Sequence, residues 1–186
     1  MELIEKALQI ASLAHQGQYR KNTNIPYIVH PMAVGMILQK AGYRDGMIAA
    51  GILHDTVEDT DLTLSDLERD FGQEVAMIVE GCSEPDKSLS WEERKQHTIE
   101  FLKSASDETR IVACADKLHN VRSIRQDVEQ SGEEVWGRFK RGKGQQEWYY
   151  RNVLKSLGHL SKFPLLEELE KEIERLFELS AFPIKT

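Results

Sequence analysis

GMIAAGILHDTVEDT, residues 46–60, decides how this chain is read. Its first eight residues are apolar or glycine on every side, the pattern of a helix buried all round. Four ionisable residues then arrive within six positions: His54, Asp55, Glu58 and Asp59. On a helix Glu58 stands four residues from His54 and three from Asp55, and Asp59 stands four from Asp55. That spacing gathers all four on roughly one side. Three carboxylates at the end of a buried helix repel one another, burial disfavours their charged forms, and the helix dipole opposes acids at a C-terminus. A bound cation relieves the repulsion and the desolvation. A helix end opening into solvent would instead make the acids cheap.

Working outward, His30 precedes Pro31 where a loop enters a helix, and Asp116 follows an apolar run in ETRIVACADKLHNVRSI (108–124). A lone histidine is most often structural, and a buried aspartate needs a partner. Taken together, His30, the pair His54-Asp55, and Asp116 supply enough imidazole and carboxylate to enclose one divalent metal. Asn120 lies four residues beyond Asp116 and shares its helix face.

The rest of the chain fits an all-α fold in a single domain spanning residues 1–186, with about eight to ten helices. Helices are expected near 2–15, 31–41, 44–59, 63–70, 73–82, 90–104, 106–130, 145–159 and 164–179, with loops at 16–29, 83–89 and 131–144. Thr63 with Asp66 and Ser90 with Glu93 have the capping-box spacing, and Ser106 precedes two acids. Gly72 marks a helix stop. The last helix carries the apolar stripe Leu165, Leu169, Ile173 and Leu176. DVEQSGEEVWGRFKRGKG (127–144) is expected to be the most mobile stretch.

Charged residues make up 30% of the 186 and the net charge is −7, which argues against general affinity for nucleic-acid polymers. No apolar run approaches the roughly 18–20 residues that span a bilayer. MELIEKALQIASLAH lacks the basic start and unbroken apolar stretch of a signal peptide and has an amphipathic pattern instead. Cys82 and Cys114 form no C-x-x-C pair, so a reducing, cytoplasmic setting is the simplest reading. One basic island, RFKRGKGQQEWYYR (138–151), sets five cations against Glu147 alone. It suits a small anionic ligand, or else is a solvated loop and helix start.

AHQGQYRK (14–21), IPYIVHP (25–31), AAGILHDTVEDT (49–60), FGQEVAMIVEGCSE (71–84) and ADKLHNVRS (115–123) resemble, in this order, the HD superfamily of metal-dependent phosphohydrolases. Within it they resemble the hydrolase domain of the RelA/SpoT-homologue family, which removes the 3′-pyrophosphate of the alarmones (p)ppGpp. The resemblance covers roughly residues 1–125, with helices 145–179 expected to pack on that core. It points to the small stand-alone hydrolases, since the chain has no room for the synthetase domain of the longer members.

The resemblance implies that His30, His54, Asp55 and Asp116 bind the metal, expected to be Mn2+, although the ligand set also suits Fe2+ or Zn2+. It makes Glu58 the main general base, with Asp59 orienting the water or sharing its proton. It places Arg20 and Lys21 on the nucleotide, and Asn120 on the nucleoside. Lys143, Tyr149 and Arg151 match a segment of stand-alone members that faces the diphosphates. The spacing in RKNTNIPYIVHP is one residue longer than the family's, with the extra residue in the turn around Asn22–Asn24.

The substrate is then (p)ppGpp or its adenosine analogue. Other readings are a 5′-nucleotidase or dNTPase, an NADPH phosphatase, or a non-catalytic alarmone sensor. Glu58-Asp59 with Arg20-Lys21 favours the alarmone branch. A cyclic-dinucleotide phosphodiesterase would need more histidines than His97 between the His-Asp pair and Asp116. A homodimer is left open.

Overall fold

The computed structural model describes residues 2–84 and 88–179, so part of the expected loop at 83–89 lies outside the described residues. Among the described residues the chain forms ten α-helices and one 3-10 helix, with no strand. They are α1 (Leu3–Ala14), α2 (Val29–Lys40), α3 (Asp45–Leu53), α4 (Thr56–Asp59), α5 (Leu64–Phe71), α6 (Gln73–Cys82), α7 (Trp91–Leu102), α8 (Asp107–Ser131), α9 (Gly142–Leu157) and α10 (Pro164–Leu179). The 3-10 helix spans Gly132–Arg138.

Two helices organise the rest. α3 is buried from Met47 to Leu53 and packs against α1, α2, α6 and α8. α8 packs in turn on α2, α3, α6, α9 and α10. Glycine lets α2 and α3 come unusually close. A Cβ on Gly51 would stand 2.4 Å from Leu38 Cδ1, and one on Gly35 would stand 2.6 Å from Ile52 Cγ1. Because α2 and α3 run past each other at this distance, the start of α2 lies beside the end of α3. His30 and His54 occupy those two ends.

Local signals hold as expected. Thr63 and Ser90 form reciprocal capping boxes with Asp66 and Glu93, and the Ser106 hydroxyl accepts from the Thr109 N–H. Gly72 adopts φ +88° between α5 and α6. Leu165, Leu169, Ile173 and Leu176 are all buried.

Two expectations are corrected. The helix read as 44–59 is broken at His54-Asp55 into α3 and α4. The His54 Nδ1–H donates to the Gly51 carbonyl at 2.8 Å and the Thr56 hydroxyl donates to the Leu53 carbonyl at 2.7 Å. Side chains thereby take acceptors that continuing helix would use. The stretch 131–144, read as a loop, is mostly helical. Val135 and Trp136 are buried there, and the Trp136 ring stacks on Phe177 with centroids 5.6 Å apart.

Candidate functional site

The break after α3 turns two side chains toward one point. His54 uses Nδ1 on the Gly51 carbonyl, so its Nε2 is the nitrogen left to face the interior. His30 enters from the first turn of α2 with Nδ1 2.7 Å from His119 Nδ1, which likewise leaves Nε2 facing inward. Asp116 comes from the middle of α8. Its Oδ1 lies 3.2 Å from His30 Nε2 and 3.8 Å from His54 Nε2. Asp55 Oδ2 lies 3.0 Å from His54 Nε2 and 3.6 Å from His30 Nε2.

These residues fit a metal. One ligand atom from each of His30, His54 and Asp116 falls within 4.8 Å of the others, and all three residues are buried. His54 Nε2 is buried facing the carboxylates of Asp55 and Asp116 without a well-formed hydrogen bond, so its polarity is not met by the protein alone. Neighbouring ligands on an ion with bonds of ~2.1 Å sit about 3 Å apart, close to the spacings found here. Imidazole with carboxylate is a donor set for Mn2+, Fe2+ or Zn2+.

The field at this point is arranged for a cation. Burial opposes a charge on His54, but Asp55 and Asp116 outweigh it and raise the imidazole to about 9. Burial likewise opposes charge on the two aspartates. His54 and His30 nevertheless hold Asp55 well below the carboxylate range, and Lys117 and His30 do the same for Asp116. Burial pushes His119 down to about 4, so it is neutral and able to accept the proton on His30 Nδ1.

The surrounding side chains fix these groups. The Tyr27 hydroxyl donates to Asp55 Oδ2 at 2.5 Å. Lys117 Nζ donates to Asp116 Oδ2 at 2.6 Å, and Asn120 Nδ2 donates to Asp116 Oδ1 at 2.6 Å. Arg20 donates to Asn120 Oδ1 at 3.0 Å and lies 5.8 Å from the centroid of the Tyr27 ring. Arg20 is held by a small hairpin: its N–H donates to the Ile25 carbonyl at 2.8 Å, and Tyr19 pairs with Pro26. Asn22 turns that hairpin with φ +59°. Lys21 is exposed beside it.

Glu58 sits one turn beyond the His-Asp pair, on α4. Its Oε2 accepts from the Glu84 N–H at 2.9 Å. Burial raises its carboxyl above the ordinary value of 4.5, with Glu84, Asp59 and Asp55 adding to the rise and the Glu84 N–H working against it. Asp59 is anchored through its main chain: the His15 Nδ1–H donates to Gln18 Oε1 at 2.8 Å, and Gln18 Nε2 donates to the Asp59 carbonyl at 2.8 Å.

The structure therefore gathers His30, His54, Asp55, Asp116, Asn120 and Arg20 into one connected cluster, with Glu58 and Asp59 on the adjoining turn. The basic island is mostly matched by the chain's own acids. Arg138 pairs with Asp127, Arg141 with Glu92, and Arg151 with Glu147 one turn back. Lys143 lies 3.5 Å from Glu133 and 5.9 Å from the Trp136 ring. Tyr149 is buried on α9, under Lys95 at 5.0 Å from its ring.

Sequence reading passes over Tyr27, Lys117, Tyr150 and the group Glu84, Arg94 and Lys95. Tyr27 sits inside IPYIVHP, and Lys117 inside ADKLHN, so the signal there was adjacency to ligands. Burial raises the Tyr150 hydroxyl, with Tyr149 and Asp116 adding to the rise and Lys117 and Arg20 working against it. A cavity of about 690 Å³ between α6, α7 and α8, lined by Met77, Cys82, His97 and Phe101, includes none of the metal-centre residues.

Residues 7–145 match the HD-domain family. A GTP pyrophosphokinase of Streptomyces coelicolor is 42% identical over 125 residues, 66% of this chain but 15% of that protein. The chain thus spans about a seventh of the long relatives it matches. The guanosine-3′,5′-bis(diphosphate) 3′-pyrophosphohydrolase MESH1 of Xenopus tropicalis is 40% identical over 126 residues, 66% of this chain and 70% of that protein. The crystal structure of lmo0812 from Listeria monocytogenes EGD-e superimposes with a TM-score of 0.75 at 38% identity, over 80% of this chain and 99% of that one. A metazoan ortholog of SpoT, described as hydrolysing ppGpp, superimposes with a TM-score of 0.78 at 29% identity, over 96% of each chain. With the family match spanning most of its length and MESH1 covered over more than two thirds of its own, the chain belongs to the HD-domain family, in the branch that includes the MESH1 proteins.

Proposed function

We propose that this protein is a Mn2+-dependent hydrolase that releases pyrophosphate from the 3′ position of (p)ppGpp or its adenosine counterpart, working in the cytoplasm. The observation that carries the reading is Glu58, a half-buried carboxylate with a raised pKa, held one turn from the His30, His54 and Asp116 cluster. His30, His54, Asp55 and Asp116 would hold the metal, which supplies positive charge for a phosphate oxygen and lowers the pKa of a bound water. Glu58 uses Oε2 on the Glu84 N–H and takes the proton of the attacking water on its other oxygen, with Asp59 beside it. The water oxygen bonds to the phosphorus attached to the 3′ oxygen. The bond between that phosphorus and the 3′ oxygen breaks, and the 3′ oxygen gains a proton. For ppGpp the products are GDP and pyrophosphate.

Arg20 and Asn120 already meet each other beside Asp116 and would place the nucleoside there, with exposed Lys21 closing on the nucleotide. Tyr149, buried under Lys95, would have to reach the diphosphates from there. For Lys143 and Arg151 to meet a diphosphate, they must exchange Glu133 and Glu147 for it. The test incubates purified protein and Mn2+ with ppGpp, ppApp, NADPH and deoxynucleoside monophosphates and identifies each product. Pyrophosphate from the 3′-diphosphates is expected. Orthophosphate released from NADPH or the monophosphates, with the 3′-diphosphates intact, would reassign the substrate.

A further inference from the structure

Glu58 is held by a main-chain amide that belongs to a segment with its own anchor. Glu84 follows the end of α6, and its side chain is only 12% exposed. Its two carboxylate oxygens go to two cations on the second turn of α7: Oε2 accepts from Arg94 NH1 and Oε1 from Lys95 Nζ. α7 is fixed in turn by the Ser90 capping box and by Trp91, whose ring lies 6.3 Å from those of Trp148 and Tyr149 on α9. Lys95 continues to the Tyr149 ring. A half-buried carboxylate with a cation on each oxygen is strongly placed. Its own N–H is placed with it, and that N–H meets Glu58 Oε2 at 2.9 Å.

We propose that Glu84 is a positioning residue for the general base: by locking onto Arg94 and Lys95 it holds the amide that selects one carboxylate orientation of Glu58. This rests on the reading of Glu58 as the base. Without the lock, the residue at 84 keeps its N–H, but its side chain no longer fixes where that N–H points. The proton-accepting oxygen then samples several directions, so turnover falls while substrate binding and metal binding stay. A positioned base loses efficiency steeply with small displacements.

The experiment is a double-mutant cycle on the full-length protein with Mn2+ and ppGpp, with bound metal and melting temperature measured for each variant. Active wild type and impaired Glu58→Gln establish the reading itself; an inactive wild type or a fully active Glu58→Gln overturns both. Given that reading, Glu84→Ala is expected to lower kcat about 10- to 30-fold, with KM within about threefold and metal content unchanged. Glu84→Gln keeps the length and one acceptor and is expected to recover most of the loss. In the Glu58→Gln background, Glu84→Ala is expected to cost less than about twofold further, because there is no base left to aim. The inference is overturned by an unchanged kcat in Glu84→Ala, by a loss confined to KM or metal content, or by losses that multiply in the double variant.

Discussion

Two buried polar clusters centre on residues six apart on α8, Arg110 and Asp116, and their groups are arranged differently. Around Arg110, which is fully buried, NH1 donates to Asp107 Oδ1 and Ser161 Oγ at 2.9 and 3.0 Å, and NH2 donates to the Leu157 and Ser161 carbonyls. Only its Nε goes without a partner. Around Asp116, two carboxylates converge on two imidazoles and one imidazole nitrogen has no hydrogen bond. The first cluster closes on protein groups and joins α8 to the segment between α9 and α10. The second aims four metal-ligand groups, His30, His54, Asp55 and Asp116, at one point. Burial of charge alone therefore does not mark function; the direction and surplus of the donors and acceptors do.

That contrast predicts opposite phenotypes. The largest effect is expected from Asp116→Ala, which should lose bound metal and more than about 10³-fold of activity while the protein stays folded. Retention of stoichiometric metal in that variant would break the comparison. Glu58→Gln should keep the metal and lose about 10²–10³-fold in kcat. Its pH profile carries the sign. Because burial raises the Glu58 carboxyl, the base is protonated to a higher pH than an exposed glutamate. Wild-type kcat/KM should therefore fall on an acid limb above 4.5, and Glu58→Gln should lack that limb. An acid limb persisting unchanged in the variant would assign it to another group.

Arg110→Met should reverse the pattern. It strands the Leu157 and Ser161 carbonyls and should cost about 3 kcal/mol of stability in chemical denaturation, with kcat of the folded protein within about twofold. A stable but inactive Arg110→Met would mean that the two clusters are not separable. The smallest effect is expected for Tyr27→Phe. Removing the donor to Asp55 Oδ2 should weaken Mn2+ about tenfold in a metal titration and leave stability nearly unchanged. Unaltered metal affinity would remove Tyr27 from the site.

What could be read in the sequence follows the range of the interactions. The capping boxes at Thr63 and Ser90 and the stripe Leu165 to Leu176 depend on residues three or four apart, so they were legible. Three of the candidate metal residues stood out because their residue types are unusual after apolar runs. The break at His54-Asp55 was not legible, since it depends on which backbone carbonyls the His54 and Thr56 side chains take. Gly132, Gly137, Gly142 and Gly144 in a charged stretch signal a loop, and burial of Trp136 against Phe177 overrides that signal. Glu84, Arg94 and Lys95 carry no motif at all. Their pairing spans ten and eleven positions and meets Glu58 twenty-six residues back, which only the folded arrangement of Glu84 between α7 and Glu58 reveals.

The most direct measurement strips the protein of metal with a chelator, re-adds Mn2+, and follows ppGpp and its products by phosphorus NMR. No turnover in the stripped protein, and stoichiometric GDP and pyrophosphate once Mn2+ returns, is the predicted result. Equal turnover in the stripped protein, or no product from any nucleotide 3′-diphosphate with metal restored, would contradict the assignment of the Asp116 cluster as a metal-dependent hydrolytic centre.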